Sequence, residues 1–355
     1  MPRIEDIRER LTEIKPLGSQ QDIVRAGLVR AVDIVEGNIR IRLATPGMPQ
    51  QTLNVLVADI RRAVGALAGT GQVHVEIEAP TRPSPYGDLG PLPGVRDIVA
   101  VSSTKGGVGK STIAANLALA LSHLGQRVGL LDSDIYGPSL PIMFGINEKP
   151  AMTSDKRIVP IERYGLKLMS IGFFLDESSP VIWRGPMVMG AVRQFLKDVA
   201  WEGLDILLVD MPPGTGDAQL TLVQQVPLAG GVVVTTPQDV ATLDVERGIA
   251  MFQQVNTPVL GVIENMSDYV CPRCGTHDDI FGSGGADRLA ADFGVPVLAK
   301  IPLVPELRTA GDSGKPLFLQ QPLHPVSRIF LEVAERLLGA IEAGREAASP
   351  PTILG

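Results

Sequence analysis

The segment Ser102-Ser103-Thr104-Lys105-Gly106-Gly107-Val108-Gly109-Lys110-Ser111-Thr112 limits what this chain can become more than any other. It follows the apolar stretch Ile98 to Val101, which reads as a strand, and opens the helical spacing of Ile113, Leu117, Leu121 and Leu124. A glycine-rich turn in that position is a phosphate-binding loop, because small residues let successive backbone N–H groups close around phosphate oxygens at a helix N-terminus. Thr104 to Thr112 is the expected cradle: Gly106, Gly107, Val108 and Gly109 supply backbone, Lys110 reaches the terminal phosphates and the Ser111 hydroxyl holds magnesium (Mg2+). Lys105 is the informative extra. One lysine suffices for an ordinary loop of this kind, whereas a second at its mouth can reach the nucleotide of a facing subunit and add charge to a dispersed phosphoryl transition state. That implies a dimer formed around ATP.

The rest of the chain supports such a site. Short apolar runs at Ile98 to Val101, Val128 to Leu131, Ile206 to Val209, Val232 to Val234, Val259 to Ile263 and Val295 to Leu298 alternate with helical segments. This pattern predicts an α/β fold, a P-loop NTPase with a mostly parallel sheet flanked by helices and buried on both faces. Ligands of such sheets sit beyond the carboxyl ends of the strands. Before it, Ile4 to Ile14 and Leu53 to Leu67 have helical spacing. Val29 to Leu43 alternates like a hairpin across Glu36-Gly37-Asn38, and Val73, Val75 and Ile77 alternate again. The stretch APTRPSPYGDLGPLPGV, Ala79 to Val95, is dense in Pro and Gly and reads as a linker. The expected organisation is a small α+β domain at 1–79, a linker at 80–95, an ATPase domain at 96–347 and a tail at 348–355. Leu323 to Ala347 reads as a final helix packed on the core through Phe330, Val333, Leu337 and Ile341, and its balanced arginines and glutamates argue against a lipid-binding face.

Composition removes several alternatives. A net charge of −7 argues against a constitutive nucleic-acid partner, which needs a basic surface. No uninterrupted apolar run is long enough to span a bilayer, and the charged start Met1 to Arg10 is unlike a signal peptide, so a cytoplasmic location is expected. The two cysteines lie in one short motif and fit a reducing compartment.

With its two lysines the loop resembles those of the deviant-Walker P-loop ATPases, which include the MinD, ParA, ArsA and nitrogenase iron protein families; Thr104 stands where a first loop glycine is usual. The resemblance assigns roles to carboxylates at two strand ends. Asp134, in Leu131-Asp132-Ser133-Asp134, would orient the attacking water, and Asp210, before Pro212-Pro213-Gly214, would reach magnesium. It further implies that Asn265 hydrogen-bonds the adenine edge and that Pro302 lines the base. Asp132 is read equally as a loop cap or a functional group.

The second chemistry is Cys271-Pro-Arg-Cys274, within the segment from Asn265 to Gly285. A C-x-x-C is open to three readings: a redox pair, half a zinc site or half an iron-sulfur site. Two thiolates do not complete a four-thiolate site, but a two-fold dimer supplies the second pair. Redox pairs of this kind usually open a helix, whereas Gly275 to Asp279 reads as loop. His277 is read as a solvated loop histidine, and Trp183 and Arg184 as either a docking surface or core.

The combination of KGGVGKS, LLDSDIYGPS, VIWRGPM, DMPPGTGD and NMS followed by CPRCG resembles the Mrp or ApbC iron-sulfur cluster carrier ATPases over residues 95–340. This implies a homodimer that holds a labile 4Fe-4S cluster between subunits through Cys271 and Cys274. The cluster would be delivered to iron-sulfur apoproteins in concert with assembly scaffolds. A spatial-organising ATPase of the ParA or MinD kind and a zinc-stabilised regulatory ATPase are the competing expectations. The first domain resembles the small iron-sulfur-assembly domain often fused to these ATPases. It departs at Lys15-Pro16-Leu17 and at Thr45-Pro46-Gly47-Met48-Pro49, which lacks a cysteine, so docking or regulation is expected of it rather than metal binding.

Overall fold

The computed structural model describes residues 3–15, 22–26, 28–35, 38–44, 50–67, 71–78, 90–175, 185–214, 216–271 and 273–348. They fall into two units, residues 1–83 and 84–355.

In the first unit, helix α1 (Ile4–Leu11) precedes strands β1 (Val29–Val35) and β2 (Asn38–Ala44), followed by α2 (Gln50–Gly65) and β3 (Val73–Glu78). The sheet order is β1-β2-β3, with β1 antiparallel and β3 parallel to β2. Alternation puts Ile39, Ile41 and Leu43 on one face, where they are buried with Ile7, Leu11, Leu56 and Ile60 from the helices. The expected α+β module is present. Its departures at Pro16, Leu17 and 45–49 lie outside the described residues, as does the turn at Glu36 and Gly37.

The predicted linker is too long at its carboxyl end. Val95 opens a strand, and Leu92 is buried in the core of the second unit. Pro and Gly dominate the composition of 80–95, yet one leucine with an apolar neighbourhood to fill is enough to draw its end into the core.

The second unit is built on eight strands: β4 (Val95–Ser102), β5 (Val128–Asp132), β6 (Ile161–Arg163), β7 (Leu166–Ser170), β8 (Leu204–Asp210), β9 (Gly230–Thr235), β10 (Val259–Asn265) and β13 (Val297–Ile301). Their order is β13-β10-β9-β4-β8-β5-β7-β6, and every pairing is parallel except that of β6 with β7. All six predicted runs are strands, although the last begins at Val297 rather than Val295. Pro296 has no N–H for the ladder, and its carbonyl accepts from Val262 N at 2.9 Å, so regular pairing starts after it. The antiparallel edge hairpin was not expected. It turns at Tyr164 (φ 53°) and Gly165 (φ 79°), the paired left-handed conformation that two-residue hairpin loops require.

Helices α3 (Lys110–His123), α4 (Leu140–Phe144), α5 (Gly185–Lys197), α6 (Asp217–Gln225), α7 (Asp239–Gln254), α8 (Gly285–Phe293), α9 (Pro305–Asp312), α10 (Leu317–Gln320) and α11 (Pro325–Ala348) complete the described elements with a small hairpin, β11 (Tyr269–Val270) and β12 (His277–Asp278). Helix α3 is apolar nearly all round and packs between the sheet and α11, burying Ile113, Leu117, Leu119 and Leu121. Each such side chain contributes about 1.5–3 kcal/mol relative to exposure, which fixes the helix whose first turn forms the site. Helix α11 buries Phe330, Val333, Leu337 and Ile341 as expected, and Arg345 near its end bonds the buried Asp97. No described helix is long and apolar enough to cross a membrane.

Candidate functional site: a nucleotide cradle and a cysteine hairpin

Strand β4 lies near the centre of the sheet, between β8 and β9, and delivers the glycine-rich loop to its carboxyl edge. Gly107 and Gly109 both adopt φ of 82°, a conformation that costs an L-residue with a Cβ about 1–2 kcal/mol. Gly109 is also sterically fixed, since a Cβ there would collide with Asn265 Nδ2. Gly109 is the N-cap of α3 and offers no side-chain acceptor, so the first-turn N–H groups remain for an anion. Lys110, 6% exposed, bonds Asp210 through Nζ, and Nζ also lies 3.4 Å from Ser111 Oγ.

Asp210 ends β8 fully buried, directly across the sheet from Asp132 at the end of β5. Burial raises the pKa of Asp210, against the pull of Lys110. Burial first, and then the neighbouring charge of Asp210, push Asp132 up to about 7. Asp210 Oδ2 has no hydrogen-bond partner among the described residues, and an orphaned carboxylate oxygen beside a serine hydroxyl is the oxygen donor set that suits a hard cation. Ser111 and Asp210 thus present oxygen donors of the kind that a magnesium ion takes.

Asp132 is a structural acceptor rather than a free carboxylate. It receives Asp134 N at 3.1 Å, Ser139 N at 3.0 Å and Ser170 Oγ at 3.0 Å, and so anchors the loop that carries Asp134. Asp134 is half-buried, with Oδ1 accepting from Gly137 N at 3.2 Å. Gln219 was missed in the sequence. It is buried on α6 and its amide bonds the carbonyls of Pro212 and Ser103, while Gly214 N reaches Ser103 O at 3.0 Å. The loop after β8 is thereby stitched to the start of the glycine-rich loop. Lys105 turns toward its own chain, with Nζ 3.2 Å from Asp244 Oδ2 on α7.

Beside the α3 N-terminus lies a cavity of about 380 Å³ lined by Gly109, Thr112, Asn265, Met266, Pro302 and Leu303 among others. It brings together the two residues predicted to meet the base, Asn265 and Pro302. The Asn265 amide is engaged here with Val108 O at 2.8 Å, tying the end of β10 to the glycine-rich loop.

Beyond Asn265 the chain leaves the sheet. Tyr269 pairs with Asp278 and Val270 with His277, so the segment expected to be loop after Cys274 contains a two-residue strand. Cys271 N donates to Thr276 O at 2.9 Å and Gly275 N to Cys271 O at 2.9 Å, closing the turn that carries both thiols. Cys271 is half-buried and Cys274 exposed. The Thr276 side chain, 3.2 Å from Cys274 Sγ, holds that thiol below its ordinary pKa. The excursion is pinned at its base by Glu264, a buried carboxylate inside an apolar strand, whose Oε2 accepts from Ala286 N at 2.7 Å. A charge within an apolar run was the sequence signal for such a partnered group. Trp183 and Arg184 lie outside the described residues.

A buried lysine and an uncapped helix at the carboxyl edge of a parallel sheet define a P-loop nucleoside triphosphatase. Residues 94–338 match the family described as ParA, NUBPL iron-transfer P-loop NTPase, and residues 4–77 match one described as iron-sulfur cluster assembly protein. The chain belongs to this iron-transfer P-loop NTPase family. It is 50% identical over 278 residues to an iron-sulfur cluster carrier protein of Pseudomonas fragi, covering 78% of this chain and 97% of that one. It is 42% identical over 364 residues to an iron-sulfur cluster carrier protein of Aquifex aeolicus, covering 96% and 99%. Among solved structures, it resembles a nucleotide-binding protein of Archaeoglobus fulgidus in complex with ADP, with a TM-score of 0.58 and 38% identity over 67% of this chain and 93% of that one.

Proposed function

We propose that the protein is a magnesium-dependent ATPase that carries a 4Fe-4S cluster between two subunits and passes it to apoproteins. The observation that carries this reading is the cysteine hairpin. It presents one exposed and one half-buried thiol, and among the described residues no group of three or more His, Cys, Asp or Glu could hold a metal within one chain. A second copy of Cys271 and Cys274 across a two-fold axis brings the thiolates to four, the number a cubane cluster takes. Free thiols of this kind belong in a reducing compartment such as the cytoplasm.

In the ATPase step, Lys110 exchanges Asp210 for phosphate oxygens while the first-turn N–H groups of α3 receive the same anion. Ser111 and Asp210 would hold the magnesium ion, which would supply neutralisation of phosphate charge. Asp134 orients water, and Lys105 leaves Asp244 to reach the partner's nucleotide. Turnover is slow until partner or cargo orders these loops. Asp134→Asn and Lys105→Ala should each bind ATP as the parent does and lose most hydrolysis. Unchanged steady-state turnover in either removes that residue from the mechanism.

Sedimentation of anaerobically reconstituted protein with simultaneous visible absorbance tests the carrier reading. The expected species is a brown dimer with about four iron and four sulfide. A brown monomer, or a colourless dimer holding zinc, overturns it.

A further inference from the structure

The base cavity and the cysteine hairpin are joined by four consecutive residues, Asn265 to Asp268. Asn265 holds Val108 of the nucleotide loop, and Met266, which lines the cavity, sits in the left-handed region at φ 58°. Strain in a non-glycine residue persists only where its surroundings over-determine it, and here they do so on both sides. Ser267 N donates to Ile301 O at 3.0 Å, immediately before the cavity wall at Pro302 and Leu303. Asp268 then makes three connections. Its carbonyl accepts from Leu303 N at 2.7 Å, its Oδ1 accepts from Ser267 Oγ at 2.7 Å, and its Oδ2 lies 3.5 Å from His277 Nδ1 on the returning strand of the hairpin.

We propose that Asp268 is the positioning residue that ties the cysteine hairpin to the nucleotide pocket, so that occupancy of the pocket sets how Cys271 and Cys274 are presented. Its backbone is fixed to the cavity wall and its side chain faces His277 of the hairpin, so a nucleotide bearing on Asn265, Met266 or Leu303 bears on the segment that carries the thiols. A ligand shifts a conformation only by contacting its alternatives differently, and these contacts supply the difference. The hairpin itself is two residues long on each side. The route lies within one chain. It deepens the carrier reading, on which its purpose rests, but it operates whether or not a cluster is bound.

The test uses the reduced, metal-free, full-length protein. Alkylation rates of Cys271 and Cys274 are measured by mass spectrometry without nucleotide, with ADP and with a non-hydrolysable ATP analogue, over a range of protein concentrations. In the parent, nucleotide should change the rate about fivefold or more, independent of protein concentration. Asp268→Ala should keep its nucleotide affinity and reduce that change to less than about twofold. His277→Gln, an exposed substitution that spares the fold, should also weaken the response, and it serves if Asp268→Ala does not fold. A full nucleotide response in either variant overturns the proposal, as does a parent with none. A response that grows with protein concentration and survives Asp268→Ala arises from subunit association and overturns the intrachain route as well. Iron and sulfide analysis of the parent is separate, so failure of the carrier reading and failure of this link are told apart.

Discussion

Asp210 ends a strand of the large sheet and Cys274 lies beyond the carboxyl end of another, and their surroundings are opposites. Asp210 is wholly buried, bonded to Lys110 and set across from a second buried carboxylate, whereas Cys274 stands exposed on a hairpin of two residue pairs. The nucleotide cradle gains from dryness, because fixed charges act strongly on phosphate only where water does not screen them. Thiols that, on the proposed carrier reading, surrender a cargo need to be reached. The protein thus places its rigid, costly electrostatics in the interior and, on that reading, its exchange chemistry on a small exposed hairpin.

The sharpest way to break this comparison is to remove one charge from the interior. Lys110→Ala strands Asp210 in the core beside Asp132, and loss of one partner of a buried pair costs about 3–5 kcal/mol. Urea unfolding at pH 8 should show a loss of that size together with loss of ATP binding. A variant as stable as its parent would mean that the cluster of charges is already hydrated, and the contrast would fall. The next effect is smaller. Gly107→Ala and Gly109→Ala share the same φ, so each should cost about 1–2 kcal/mol from backbone alone. Gly109→Ala should cost more, because its Cβ meets Asn265 while the space around Gly107 is open. Equal losses in denaturant would show that Asn265 moves freely and that the cradle is looser than drawn. The smallest effect belongs to the hairpin. Cys274→Ala should leave stability within about 0.5 kcal/mol of the parent while abolishing cluster retention. A large drop in its melting temperature would make the hairpin part of the fold.

What the sequence discloses follows the same division. The glycine-rich loop was legible because its glycines and lysines are contiguous and each has one physical job. The parallel sheet was legible because strands buried on both faces are unbroken apolar runs. The edge hairpin at Ile161 to Ser170 was not, since a strand of three residues gives no periodicity and Tyr164-Gly165 is a weaker turn signal than Asn-Gly. Site residues were legible where they fell in motifs and hidden where they serve across long separations. Gln219 reaches Ser103 over 116 positions, and Asp132 joins donors of its own loop to Ser170, 38 positions away. The partner of a buried polar group is set by packing, and one strand of text does not contain it.

The bond between Glu264 and Ala286 has a consequence for how such a chain can change. Two positions 22 residues apart are held at one point, so the stretch from Tyr269 to Gly284, beyond the residues that meet the nucleotide cavity, is an appendage with a closed root. Lengthening or trimming it alters loop-closure entropy by only about 0.6 kcal/mol per doubling, and the sheet beneath does not register the difference. The thiol-bearing piece is thus a detachable tool on a general motor. A different grip grafted at the same root is expected to inherit the motor's timing without any redesign of its interior.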